Sequence, residues 1–230
     1  QGPRTLALYP ATDVTDRMGA GGSMPADEAA AKEAGKTDEE ILLYKASQGY
    51  KDGTFADYAT EDAEVAYPGA PPFPVAFMLG MTTKWGVACP DWKSLCLSIT
   101  KNDDGTYTLL EQQCIGAMKA DMPAIEGTPF PEIKVEELPE TGKVEIVFPV
   151  EVTTYTLEGG KIKKGVSTGE IKESSEVEGA AEPTPYLLEQ WKAGKGGFDA
   201  IYSFLGKPLP EQPAEDAAAA PAEEAPAAAE

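Results

Sequence analysis

The sequence predicts an α+β protein, with an antiparallel β-sheet core, short flanking helices and extended low-complexity arms. Three observations predict it. First, Leu95, Leu97 and Ile99 alternate with Cys96, Ser98 and Thr100, run into Asn102-Asp103-Asp104-Gly105 and return through Thr106 to Gln113, the pattern of a hairpin. Second, the alternating run Lys143–Leu157 is joined to Lys161–Ile171 by the turn Glu158-Gly159-Gly160-Lys161. Third, short segments on either side of these runs carry helix start and stop signals.

In chain order, residues 1–22 read as an extended N-terminal arm: the apolar stretch Leu6-Ala7-Leu8-Tyr9-Pro10 leads into Gly19-Ala20-Gly21-Gly22. Residues 23–65 read as a short helical segment. Ser23 caps a first helix, Pro25 sits in its first turn, Asp27 and Glu28 suit its positive end, and Gly35 stops it. Thr37 and Glu40 form a capping box for a second helix, which runs through Ile41, Leu42 and Tyr44 toward Gly49.

Residues 66–171 read as the β-rich core. Its entry, residues 66–74, is too rich in proline for helix or central strand and is expected to be extended. The apolar run Val75–Met81 suits a buried strand, and the hairpin follows. Residues 115–131 are irregular, punctuated by Pro123, Pro129 and Pro131, and Glu132–Glu136 is a further strand candidate. Within Lys143–Leu157, Val144, Ile146 and Phe148 share a face, and Pro149 implies an edge, a bulge or a bend.

Residues 172–210 read as an acidic linker followed by two short C-terminal helices. One starts at Thr184-Pro185 and carries Leu187, Leu188 and Trp191; the other carries Phe198, Ile201, Tyr202 and Leu205 and stops at Gly206-Lys207-Pro208. Residues 211–230 contain only Ala, Pro, Glu, Asp and Gln, and are expected to be a disordered tail.

Composition narrows the function. The formal net charge of −20 repels polyphosphates, so nucleic acid and anionic lipid are not expected partners. The absence of histidine removes Ser-His-Asp and Cys-His catalysis and histidine metal sites, and leaves carboxylate, Ser-Lys and threonine chemistries. No cofactor or metal site is expected. No run of about 18 apolar residues exists to span a membrane. The start at Gln1 and the acidity together suggest an exported protein, periplasmic, extracellular or in an organelle lumen.

The three cysteines are Cys89, Cys96 and Cys114, and an odd number leaves one unpaired within the chain. Cys96 and Cys114 fall near opposed ends of the hairpin strands and are expected to form a disulfide. Cys89, between Trp85 and Trp92, reads as structural. Tyr67, Phe73 and Phe77, with Trp85 and Trp92, form an aromatic strip that could bind a partner or cover the chain's own core. The hairpin turn also has part of a calcium-loop spacing, with Gly105 as its glycine and Asn102, Asp104 and Glu111 as ligands. Thr100 stands where an aspartate is needed, however, and the flanks read as strands, so a β-turn is the expectation. With 39 acidic residues, sequence proximity selects no catalytic pair.

The hairpin, the irregular segment containing Phe130-Pro131 and the strand containing Phe148-Pro149 follow an order that resembles the C-terminal domain of TonB-type energy transducers. The likeness covers roughly residues 95–157 and rests on strand pattern. Pro123 and Gly127 break the long helix that domain has between its strands, and no function is carried across.

Taken together, these readings lead to an expected non-catalytic accessory or scaffold subunit. Its arms would dock onto protein partners in a larger assembly, peripheral to a membrane complex. The alternatives are an extracytoplasmic module binding a small ligand or a cation, and a carboxylate-dependent hydrolase.

Overall fold

The structure, a computed structural model, describes residues 28–68 and 72–209. The expected N-terminal arm, the capping residues Ser23, Pro25 and Asp27, and the Ala/Pro/Glu tail lie outside the described residues.

Helix α1 (Glu28–Glu33) is short and stops, as its glycine implied, before Gly35. Helix α2 (Asp38–Gln48) has the expected capping box. The Glu40 amide donates to Thr37 Oγ1 at 3.2 Å and the Thr37 amide donates to Glu40 Oε2 at 2.8 Å, so two otherwise orphaned donors are satisfied. The helix buries Ile41, Leu43 and Ala46.

A 3-10 turn over Thr54–Tyr58 then inserts Phe55, fully buried, and delivers the chain to strand β1 (Ala59–Ala66). The expected helical segment therefore ends earlier than residue 65. The strand was hidden in the sequence because its inward residues Ala59 and Ala63 are small and weakly hydrophobic. Strand β2 (Phe73–Pro74) is a two-residue edge on β1, where a proline costs no ladder bond, in keeping with the extended reading of this stretch.

Val75–Met81 is not a buried strand. It opens helix α3 (Val75–Ala88), which starts directly after Pro74. A short apolar run cannot be assigned by periodicity alone. Here Ala76, Met78, Leu79 and Met81 are good helix formers, and the apolar stretch continues to Ala88, long enough for a helix.

The hairpin is β3 (Lys93–Lys101) and β4 (Tyr107–Gly116), closed by a turn in which Gly105 has φ +85° and Asp104 accepts from the Thr106 amide at 3.0 Å. The expected strand Glu132–Glu136 does not form. Ile133 makes a single bridge to Met122, and Val135–Glu137 is a 3-10 turn. The expected strand Lys143–Leu157 breaks at Phe148-Pro149 into β5 (Ile146–Val147) and β6 (Val150–Glu158). Val144 lies outside both and is exposed. Strand β7 (Lys161–Lys172) and helices α4 (Pro185–Lys192) and α5 (Phe198–Phe204) match their expected positions.

The strands form one curled sheet in the order β2-β1-β7-β6-β4-β3, with β5 also on β4. Among the described strands, the β1–β7 pair is parallel and the rest are antiparallel. The α+β class with an antiparallel-rich sheet is thus correct.

Two cores cover the inner face. One gathers α2, the start of α3, β1, and Tyr107, Leu109 and Tyr155. The other gathers Trp85, Ile115, Met122, Ile133 and the α4–α5 residues Leu187, Ile201 and Tyr202. On the outer face, the buried Gln112 side chain binds the Phe148 carbonyl and both backbone groups of Ala181, each within 2.8 Å. These bonds strap the linker onto the sheet.

Helix α3 bridges the two cores, and Gly86 sets how closely it lies on the turn after α2. A Cβ at Gly86 would meet the Lys51 carbonyl oxygen at 2.3 Å, whereas one at Gly80 of the same helix meets nothing within 4 Å. Gly86→Ala should therefore lose about 1–3 kcal/mol through overpacking. Gly80→Ala should gain up to about 1 kcal/mol from helix propensity. Urea unfolding of the two variants, with opposite shifts in midpoint, checks the placement of α3.

Candidate functional site

Between the two cores the sheet's inner face is open, and a cleft of about 1460 Å³ lies there. Its floor is set by strand register. Tyr107, Leu109, Glu111, Gln113 and Ile115 alternate inward along β4, and β6 pairs with it so that Leu109 faces Thr153 and Glu111 faces Glu151. On β6 and β7 the rungs continue with Tyr155 opposite Gly165 and Thr153 opposite Ser167. A Cβ at Gly165 would come within 3.0 Å of the Tyr155 ring, so the glycine makes the space in which that ring lies across β7.

Glu111 is the central group. It is 5% exposed, on a strand position that the alternation assigns to the core. Its Oε2 accepts from the Tyr155 hydroxyl at 3.0 Å, and the Tyr155 oxygen lies 2.6 Å from the Tyr50 hydroxyl. A phenol has one proton. Tyr155 gives its proton to the carboxyl, so Tyr50 donates to Tyr155 and the three form a directed chain. The other oxygen, Glu111 Oε1, is buried and has no hydrogen-bond partner in the protein.

Burial pushes the Glu111 carboxyl up to about 7, with the neighbouring Glu151 adding to the shift and the Tyr155 and Thr153 hydroxyls opposing it. Glu151 is also raised by burial, opposed by the Trp191 indole, which donates to Glu151 Oε1 at 2.9 Å. Burial and the nearby carboxyl hold Tyr50 and Tyr155 well above the usual phenol range, so both stay protonated donors at neutral pH.

The walls are aromatic. Phe148 packs on Trp191 with centroids 4.9 Å apart, and Phe130 and Phe198 meet edge to face at 6.0 Å. Trp92 Nε1 and Ser94 Oγ both donate to Gln113 Oε1, at 2.9 and 2.7 Å, fixing that amide beside the floor. The Thr82 hydroxyl of α3 lines the cleft and, like Glu111 Oε1, is buried without a partner.

The aromatic strip expected from the sequence divides. Tyr67 stacks on Phe73 at 5.9 Å and Phe73 meets Phe77 edge to face at 5.6 Å, one cluster lining the cleft in which Tyr67 and Phe77 stay partly exposed. Trp85 and Trp92 are buried, which removes them from an outward partner surface.

The expected Cys96–Cys114 disulfide does not form. The register puts Cys96 opposite Glu111 and Cys114 opposite Lys93, three residues apart along β3, and all three cysteines are free thiols. Burial pushes Cys89 and Cys96 up to about 12, which makes them poor nucleophiles.

The calcium-loop ligands are also separated. Asn102 bonds to Thr106 and Thr108, Asp104 bonds to Thr106, and Glu111 lies further along β4 inside the cleft. Among the described residues, no group of three or more Cys, Asp and Glu side chains is placed to hold a metal ion.

Sequence reasoning met Glu111 only as the last position of that loop, and it missed Glu151, Tyr50 and Tyr155. The available signal was phase: Glu111 follows Tyr107 and Leu109 at intervals of two, on the face of the strand that a core claims.

No known protein family and no curated protein matches the chain. Solved structures do align with it. A cystatin-fold protein from Novosphingobium aromaticivorans is 13% identical, with a TM-score of 0.38, over 57% of this chain and 97% of that one. A protein assigned as a SnoaL-like polyketide cyclase from Shewanella putrefaciens is 13% identical, with a TM-score of 0.41, over 65% and 91%. An NTF2-like protein from Cytophaga hutchinsonii is 11% identical, with a TM-score of 0.35, over 56% and 87%. At these scores the likenesses carry no activity to this chain.

The scaffold or structural-subunit expectation is nonetheless corrected. The described residues surround a cleft with a buried, half-satisfied carboxyl, an arrangement that costs stability and gives a scaffold nothing.

Proposed function

We propose that this protein is a small-molecule-binding domain, and that its cleft takes a largely aromatic compound anchored by Glu111. The observation that carries this reading is the free oxygen of Glu111. It is a desolvated acceptor on a residue that lines a roomy aromatic cleft, while the carboxyl's other oxygen is held by the Tyr155–Tyr50 chain. Pockets of this kind combine apolar walls with a few fixed polar groups that orient the ligand.

A second reading is favoured by the titration of Glu111 near neutrality. A carboxyl with this property, backed by a phenol chain, is suited to take or give a proton, so the domain would act as an acid–base enzyme on the same ligand. Glu111 is the residue that would carry that step. Turnover that is lost in Glu111→Gln even at saturating ligand separates the enzyme from the carrier.

Nile red, a neutral aromatic dye, tests the cleft itself. Fluorescence titration should show saturable binding, and Ser167→Phe, which projects a ring from β7 into the cleft, should weaken it about tenfold. An unchanged affinity in that variant would remove the cleft as the binding site.

The pH dependence of stability tests Glu111. Its carboxyl rises on folding from 4.5 to about 7, so the folded state binds the proton more tightly. The resulting stabilisation is complete below the unfolded value and is lost as pH rises through the folded one. Relative to Glu111→Gln, the wild type should lose stability between those values, by about 3 kcal/mol at most. Chemical unfolding of both proteins across that range gives the difference; parallel curves would show that Glu111 is not buried as described.

A further inference from the structure

We propose that the cleft's ligand is an organic cation, an aromatic amine-bearing molecule whose ammonium sits between Glu111 and Glu151. This rests on the cleft being a binding site. Four observations bear on it. The two carboxyls are direct partners on neighbouring strands, which sets their Cβ atoms about 4.5–5.5 Å apart on one face. They are not bonded to each other: Glu111 Oε1 is free and Glu151 Oε1 takes the Trp191 indole. Among the described residues, neither forms an ion pair with a lysine or arginine, although thirteen such contacts occur elsewhere in the protein. The residues lining the cleft with them include the aromatic rings of Trp191, Phe148, Tyr155 and Tyr50, the side-chain type whose faces attract a cation.

The surrounding groups point the same way. Tyr155, Thr153 and Glu151 act on Glu111 from β6, and Glu111 in turn raises Tyr50 in the turn after α2, Tyr67 just past β1 and Cys96 on β3. The tyrosines and the thiol are raised by burial and stay neutral, and Glu151 is acidic, so no fixed positive charge meets Glu111. From α3 the cleft receives Phe77, Met78, Met81 and Thr82, none of them charged. Toward the mouth lie Lys195 and Asp199, one of each sign. An anionic ligand would enter against two carboxyls with no partner to receive it. An ammonium supplies donors to the Glu111 and Glu151 carboxyls and relieves the opposition of like charges across the rung.

The chemistry is a proton displacement. When the ammonium docks, the Glu111 carboxyl O–H bond breaks, its proton passes to the buffer and an ammonium–carboxylate pair remains; no covalent bond to the ligand forms. Binding should therefore release protons at about pH 6, where Glu111 is mostly protonated, and almost none at about pH 8.5.

Three matched probes test this: naphthylmethylamine, naphthylmethanol and naphthoate. At about pH 8 the amine should bind ten- to a hundredfold more tightly than the alcohol, with naphthoate weakest. Glu111→Gln should erase most of the amine's advantage, bringing the affinities of amine and alcohol together. Calorimetry of the wild type in buffers of different ionisation enthalpy reads the proton release without any variant. Glu151→Gln should weaken the amine as well, and serves if Glu111→Gln does not fold. If the alcohol matches or exceeds the amine, or if amine binding releases no proton at the lower pH, the cation reading falls and the cleft still stands as a binding site. If naphthoate binds best, the cation reading also falls. If none of the three binds, both readings fall together.

Discussion

The site depends on one costly act, holding the Glu111 carboxyl out of water with only one of its oxygens satisfied. A buried acid with a free acceptor persists only where the surrounding structure is strong enough to impose it. Here the imposition is distributed. Strand β4 fixes the inward direction, Tyr155 on β6 donates to Oε2, Tyr50 after α2 supplies the donor behind it, and a glycine on β7 leaves the ring its space. Four separate parts of the chain therefore converge on one side chain.

The two cores explain how such a group can exist in a small protein. Each is well filled on its own side, one by Phe55, Leu43 and Met78, the other by Trp85, Tyr202 and Leu187. Between them the inner face carries Glu111, Gln113, Glu151, Thr153 and Ser167, polar side chains where a single continuous core would have placed aliphatic ones. Helix α3 touches both cores and faces the gap with methionines and a threonine, residues that adapt to differently shaped occupants.

Much of the architecture was legible in the sequence. The hairpin, the strong β6–β7 pair, the capping box of α2 and the two C-terminal helices all follow from local rules: alternation, a glycine turn, a capping pair. Two elements were not legible. Strand β1 carries alanines inward and acids outward, so its pairing with β7 decides its conformation and its own residues do not. Val75–Met81 is apolar on all sides, and only the length of the run and its helix-forming residues separate helix from strand. The site was still less legible. Glu111 and Glu151 are two acids among 39, and what distinguishes them is a register between strands that no single strand encodes. The disulfide expectation failed on the same ground: end-to-end opposition in a hairpin does not give the rung, and the rung decides whether two cysteines meet.

The parallel pairing of β1 with β7 has a consequence for how the protein comes to be folded. It joins Ala59–Ala66 to Lys161–Lys172 across about a hundred residues of intervening chain, while the β3–β4 and β6–β7 ladders close over short turns. Contacts between distant stretches form more slowly than local ones because a longer loop must be closed first. During synthesis the edge of β1 that meets β7 must therefore wait, open, until residues 162–166 have left the ribosome, although β2 closes on its other edge earlier. Its small, acidic residues make it a poor template for sticking to other chains in that interval. The weak strand signal that hid β1 in the sequence thus doubles as protection against aggregation.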